Sequence, residues 1–262
     1  MANWEHLVLL TKGASLWNEW RDRYQIHPDL SGINLTKLDL SGFNLSHTNF
    51  TRTDLSLTNL YQCRLELANM TRTNLIGAHL AGANLSWVTL IGARLIGTRL
   101  MAANLSGSAL LGANLTYADL VEANLTGADF SRTDCTDALF VGANLKQAQL
   151  VAANFQRANL ERTDLRRANA RSANFTNATL LKAYVDQANF KNAILINTKF
   201  NRDQIKRLGF DAVQQGALVT SACSGDSAGI RFEDFEFSDS EDDETAAHTV
   251  AHGDATNQVA IG

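Results

Sequence analysis

The stretch AANLSGSALLGANLTYADLVEANLTGADF, residues 102–130, places Leu105, Leu110, Leu115, Leu120, Leu125 and Phe130 five residues apart. Five residues of α-helix turn the chain through about 500°, so such side chains would land ~140° apart and wind around the outside. In an extended strand, side chains alternate with period two, and every second leucine would face water. Neither element buries them all. Short extended pieces separated by corners do, because the chain then coils around its own leucines.

The same period runs through most of the chain, and a repeat of this kind decides the fold before any other feature. Of the 35 positions from 30 to 200 in steps of five, Leu fills 24 and Phe seven; the exceptions are Met70, Cys135, Ala170 and Val185. Two residues earlier, from Ile33 to Thr198, 20 of 34 positions are Ala and eight are Thr. Between these rows 16 positions are Asn and six are Asp, which makes the unit Ala-Asn-Leu-x-x. Every Gly between residues 30 and 205 lies two positions after a central residue, where a corner uses its backbone freedom. Arg and Asn occur at the same place, so a positive φ is not demanded at every corner. Ala170, between Leu150 and Phe190 in its column, either leaves a void or is filled by Phe155 or Phe175.

Repeated GANLS, GADFS and RTDLR resemble the pentapeptide repeat proteins, whose motif is a small residue, Asp or Asn, Leu or Phe, and two variable positions. The resemblance covers about two thirds of the chain. It implies an all-β fold, a right-handed quadrilateral β-helix with four repeats per coil. On that geometry residues 30–205 make about nine coils and a rod roughly 40 Å long at the ~4.8 Å strand spacing. The N-terminal helix with its LWNEWR sequence is similar to that of cyanobacterial members.

A coil of strands exposes apolar side chains and unpaired backbone at both ends, so caps are expected. Leu7, Leu10, Ala14, Trp17, Trp20 and Tyr24, spaced three and four apart, predict an amphipathic helix interrupted at Gly13. Pro28 then delivers the chain extended into the first coil. Ile33, Leu38 and Phe43 fill the row that is later alanine, which makes the first coil wider and joins it to the helix as one cap. NRDQIKRLGF, residues 201–210, predicts a short capping helix opened by Asn201 or Asp203. Beyond about residue 212 the chain is rich in Gly, Ser, Ala and acid, and is expected to be disordered. The chain thus divides into an N-terminal helical cap (1–27), a repeat β-helix (28–205) and a short capping helix with an acidic tail (206–262).

Charge follows that division. Residues 30–205 carry 17 Lys and Arg against 12 Asp and Glu, whereas residues 208–262 carry one against 11. Within the repeats Lys146 and Arg166 form one outward column and Arg162 and Lys182 another, with Arg157, Arg167 and Arg171 close by, a candidate patch for phosphates or an acidic partner. The same arginines also serve simply to keep a β-rod soluble. In the tail, Phe232, Phe235 and Phe237 stand among carboxylates, the composition either of a segment that docks on a partner or of a solvated tail with incidental aromatics. His248 and His252 are four apart but have no third metal ligand near.

The inward positions are nearly all Leu, Phe, Ala and Thr, which leaves no buried acid, base or nucleophile of tuned pKa. The expectation is a chain that is not an enzyme, with no cofactor and no metal. Cys63, Cys135 and Cys223 have no ligand spacing. No apolar run reaches membrane-spanning length and the N-terminus makes a poor signal peptide, which points to the cytoplasm. Some pentapeptide repeat proteins protect type II topoisomerases by imitating DNA. An imitator needs acidic rails to match one charge per ~1.7 Å of duplex, and this rod is net basic. The sequence therefore favours a non-enzymatic protein–protein interaction or scaffold module, with topoisomerase modulation as the alternative. Direct nucleic-acid binding and membrane binding are not expected, and a monomer or an end-to-end homodimer, through an end rich in Phe190, Phe200 and Phe210, is.

Overall fold

The structure, a computed structural model, describes residues 2–204 and 218–220. These residues fall in one compact unit, Met1–Ile230; a second, Arg231–Gly262, lies outside the described residues, and Phe232, Phe235 and Phe237 with it.

One repeat, Ala103 to Gly107, explains why the chain coils. Ala103 N–H donates to the Leu100 carbonyl three residues back and closes the corner. Asn104 N–H donates to Ala83 on one neighbouring coil, while Leu105 N–H and Gly107 N–H donate to Asn124 and Thr126 on the other. The remaining donor, Ser106 N–H, binds the Asn104 side-chain oxygen at 3.2 Å. All five N–H groups are satisfied, as buried backbone requires. The Asn or Asp row is thereby explained: its side chain supplies the acceptor that the corner would otherwise lack.

Parallel bridges join residues 20 apart in unbroken steps of five, from Asp29–Asn49 to Thr179–Lys199. A coil therefore holds four pentapeptides, and each outward side chain sits over the one 20 residues earlier. The central residues are buried on all four sides, with the alanine row beside them. Where Thr replaces Ala, six of the eight hydroxyls donate to a central carbonyl of the neighbouring coil, as Thr73 does to Phe50 at 2.7 Å, while Thr133 donates to Phe130 in its own coil. At Ala170, Phe155 and Phe175 stack at 5.1 Å and Phe175 reaches Phe190, the residue above Ala170 in its column, at 5.5 Å. Aromatic rings from the adjacent side border the missing volume.

The corners differ from the sequence reading. From residue 32 to residue 197 every one lies near φ +60°, including Lys37, Leu57, Trp87 and Arg132. From Gly32 to Asn177 the corner N–H donates to a carbonyl of the next coil, whatever residue occupies the corner, and Gln187, Asn192 and Asn197 keep the same conformation at the end of the ladder.

The helical stretch is interrupted at Gly13, as expected, and forms α1 (Trp4–Leu10) and α2 (Ala14–Arg23) with Gly13 at φ +94° between them. Their side chains meet the free edge of the first coil. Trp17, fully buried, donates to the Asn44 carbonyl at 2.7 Å, and Asn18 both donates to Gly42 C=O and accepts from Asn44 N–H, as a paired strand would. His6 accepts from Asp29 N–H, and Arg21 donates to Ser46 C=O. The expected widening of the first coil holds for one residue only. Phe43 is buried against Trp17, but Leu38 is 42% exposed, because the helices cover the Asp29 and Asn44 sides and not the Asp39 side.

At the other end β1 (Lys199–Asn201) pairs in parallel with β2 (Leu218–Thr220), Lys199 opposite Leu218. A strand at 218–220 corrects the expectation of disorder from residue 212. Helix begins at residue 202, where Gln204 accepts from Asn201 N–H and donates to the carbonyls of Leu180 and Ala183; the rest of the expected capping helix lies outside the described residues. Phe200 is fully buried and Phe190 half-buried, and Phe210 lies outside the described residues.

Candidate interaction surface

The interior offers no reactive chemistry. Burial pushes the Cys63 and Cys135 thiols up to about 12, and Cys63 donates to the Leu40 carbonyl. Both are neutral, inert packing groups at any ordinary pH. Among the described residues no group of three His, Cys, Asp or Glu could hold a metal ion, and no helix is long and apolar enough to cross a membrane.

The 20-residue register makes the outward columns straight. Side chains beside the central residue stack along each flat side, joined by amide ladders such as Asn124 to Asn104 to Asn84 at 3.1 Å per step. Such ladders fix the outer surface and leave little to reorganise on binding.

The basic residues do not form one patch. Arg157, Arg162 and Arg167 are five apart, hence at successive corners, each turned about 90° from the last. Arg171 follows on the next side. What stays together is a pair of columns flanking the side of Leu145, Leu165 and Val185: Lys146, Arg166 and Arg167 on one edge, Arg162 and Lys182 on the other. Much of this charge is already engaged. Arg166 grips Asp164 at 2.5 Å and lies 5.6 Å over the Tyr184 ring, and its hydrogen bond holds the Asp164 carboxyl below the usual range. Arg157 is bidentate on Asp137 at 2.7 and 2.8 Å, and Arg167 donates to Gln187. The columns of Lys146 with Arg166 and of Arg162 with Lys182 follow the 20-residue register as expected, whereas Arg157 and Arg171, added for closeness in the chain, lie on other sides.

Two surface features escaped the sequence reading. The first is a groove of ≈ 840 Å³ between the start of α1 and the first coils, with Trp4, Leu7 and Ile33 at one end and the stacked Arg52 and Arg72 along its wall. The second is an outward apolar column on the side of Leu100 and Leu120, made by Ala81, Met101, Val121 and Val141, with Met101 45% exposed. Reading every twentieth residue for apolar side chains would have found it.

The chain is a β-solenoid with ordered outer columns. A model of pentapeptide repeats matches it in eight copies over residues 29–66, 68–107, 110–147, 148–192 and 168–202. The chain belongs to the pentapeptide repeat family, whose members fold as right-handed β-helices. It is 31% identical to HetL, a pentapeptide repeat protein involved in heterocyst differentiation regulation from the cyanobacterium Nostoc sp. strain PCC 7120. That match covers 76% of this chain and 96% of HetL, with a TM-score of 0.36. A trypsin-treated form of QnrB1, a plasmid-mediated fluoroquinolone resistance protein, is 18% identical over 74% of this chain and all of its own, with a TM-score of 0.55, a likeness of fold alone. No curated protein matches the chain.

Proposed function

We propose that this chain is a non-enzymatic interaction or scaffold module of the cytoplasm, a quadrilateral rod of about nine coils that presents flat faces to protein partners. In this reading residues 1–27 cap the N-terminal end, 28–205 form the rod, and 206–262 close the far end and carry an acidic segment that tunes or supplies a contact. The observation that carries it is the contrast between inside and outside. Among the described residues the buried positions are apolar, threonine and neutral thiol groups apart from Ser108 and, near the two ends of the coil, Asn44, Ser46 and Gln204, whereas outward columns combine fixed amide ladders, an apolar strip and cationic edges.

The test uses the full chain as bait in extract from its native host, with partners identified by mass spectrometry. A partner that is retained by the parent and by a chain lacking residues 231–262, but lost when Val121→Glu interrupts an outward column, supports the reading. A supercoiling assay with a purified type II topoisomerase and a fluoroquinolone tests against the alternative. The net-basic rod is expected to give no protection, and protection at substoichiometric protein would overturn the proposal.

A further inference from the structure

The side built on Leu40, Leu60, Leu80 and so on to Leu180 is self-complementary when turned over. Its outward columns are the residues before and after those centres. Suppose a second copy lies face to face and antiparallel, with the two-fold axis midway between the strands of Leu100 and Leu120. Each column then meets itself with its order reversed. Met101 meets Val121, Ala81 meets Val141, and Arg99 meets Asp119, each contact occurring twice by symmetry.

The charges select this register. Arg99 and Asp119 are neighbours in one column, yet among the described residues no ion pair joins them to each other or to a third group. Asp119 spends one oxygen on Val121 N–H, and Arg99 is exposed. An axis through the Leu100 strand would set Arg99 against Arg99, and one through the Leu120 strand would set Asp119 against Asp119. Only the intermediate axis pairs opposite charges at its centre. In the same register Glu161 meets the Tyr61 hydroxyl, and no like charges come face to face.

We infer that this side is a homodimer interface, its occupant a second, antiparallel copy of the same chain. This rests on reading the flat sides as contact surfaces and names the partner of one of them. The register overlaps eight strands, roughly 34 Å by 15 Å, or about 500 Å² per copy. That total lies near the ~1,000 Å² at which specific interfaces begin, so the dimer is weak, with dissociation in the micromolar range. Sheet packing supplies the geometry: two flat, rigid faces meet about 10 Å apart with aligned strands.

The experiment is sedimentation velocity of the full chain from about 1 to 200 μM. Association is expected to weaken at least tenfold in Arg99→Asp and in Asp119→Arg, because each reversal creates two like-charge contacts. Arg72→Asp, at the diagonally opposite corner, leaves it unchanged. The decisive arm mixes the first two variants. The Arg99→Asp copy then carries carboxylates at both central positions and the Asp119→Arg copy carries guanidinium groups at both. Two variants that are monomeric alone therefore form a heterodimer. Far-ultraviolet circular dichroism matching the parent at the assay temperature shows that neither reversal acts by unfolding, although Asp119→Arg, which removes the acceptor of Val121 N–H, is expected to melt lower than the parent. A parent that stays monomeric throughout, reversals without effect, or a mixture that fails to associate would each overturn the interface. None of these outcomes bears on capture of a different partner, which tests the module reading separately.

Discussion

From residue 32 to residue 177 a corner residue at φ near +60° aims its N–H at a carbonyl of the next coil, and the ladder outweighs the strain of about 1–2 kcal/mol that a side chain suffers there. Twenty-four non-glycine residues bear it, which the sequence could not disclose, since Arg, Gln and Lys have no preference for that conformation. Two substitutions weigh the term. Gly97 stands at φ +62° with nothing within 4 Å of an added Cβ, so Gly97→Ala should cost about 1 kcal/mol of unfolding free energy from backbone strain alone. Ser172→Gly, at φ 58° and exposed, should lose nothing and gain up to about 1 kcal/mol, read from denaturant midpoints at constant m. The buried thiols make a pH prediction. Their folded values stand near 12, above the ordinary 9.0, so the folded state holds its protons longer than the unfolded chain. The stability they contribute is complete below pH 9 and is lost as pH rises from 9 toward 12, by about 1.4 kcal/mol per unit for each thiol. The double variant Cys63→Thr, Cys135→Val should flatten that decline relative to the parent in urea titrations at stepped pH.

Among the elements, α2 shows how a helix can complete a sheet. Trp17 contributes buried area and one hydrogen bond, whereas Asn18, only half-buried, contributes the two backbone partners that a further strand would have offered. The two effects separate by substitution. Trp17→Ala should lower stability by about 3–5 kcal/mol through the cavity, and Asn18→Ala by about 1–3 kcal/mol through an unpaired donor and acceptor at the coil edge. Amide hydrogen exchange gives the sharper readout: Asn44 N–H should lose protection in Asn18→Ala while Asp54 N–H, bonded within the coils, keeps it. The spacing of Leu7, Leu10, Trp17 and Trp20 made this region legible as helical, because amphipathic periodicity is local. Asn18 was not legible, since nothing in a helical Asn tells that its amide lies against a strand 26 residues away. The pairing of Leu218–Thr220 with β1 was hidden for a related reason: three residues without the Ala-Asn-Leu pattern carry no register of their own, and their partner is supplied by the end of the ladder.

For the solenoid as a whole, inside and outside obey different periods. The core repeats every five residues, so it is indifferent to which side a pentapeptide occupies; the outer columns repeat every 20, so partner contacts are not. The five-residue period was readable as a fold because Leu and Ala recur at fixed places, whereas the surface was misread where nearness in the chain stood for nearness in space, as with Arg157 and Arg171. Deletions make the distinction measurable. Removing Met101–Leu105 leaves every later Leu facing inward but turns all later columns by one side. Such a chain should keep its far-ultraviolet circular dichroism and melt cooperatively, with a loss in proportion to one pentapeptide of roughly 35. It should nevertheless fail to bind any partner that spans the deletion, because Arg99 no longer stands under Asp119. Removing the 20 residues 121–140 deletes one full coil and leaves the remaining columns in line, so the rod should shorten by about 4.8 Å in small-angle scattering and keep contacts made wholly before or after the cut. Removing the three residues 103–105 throws each later leucine out of phase with the core. If that chain folded as well as the five-residue deletion, convergence of side chains at intervals of five could not be what builds the coil.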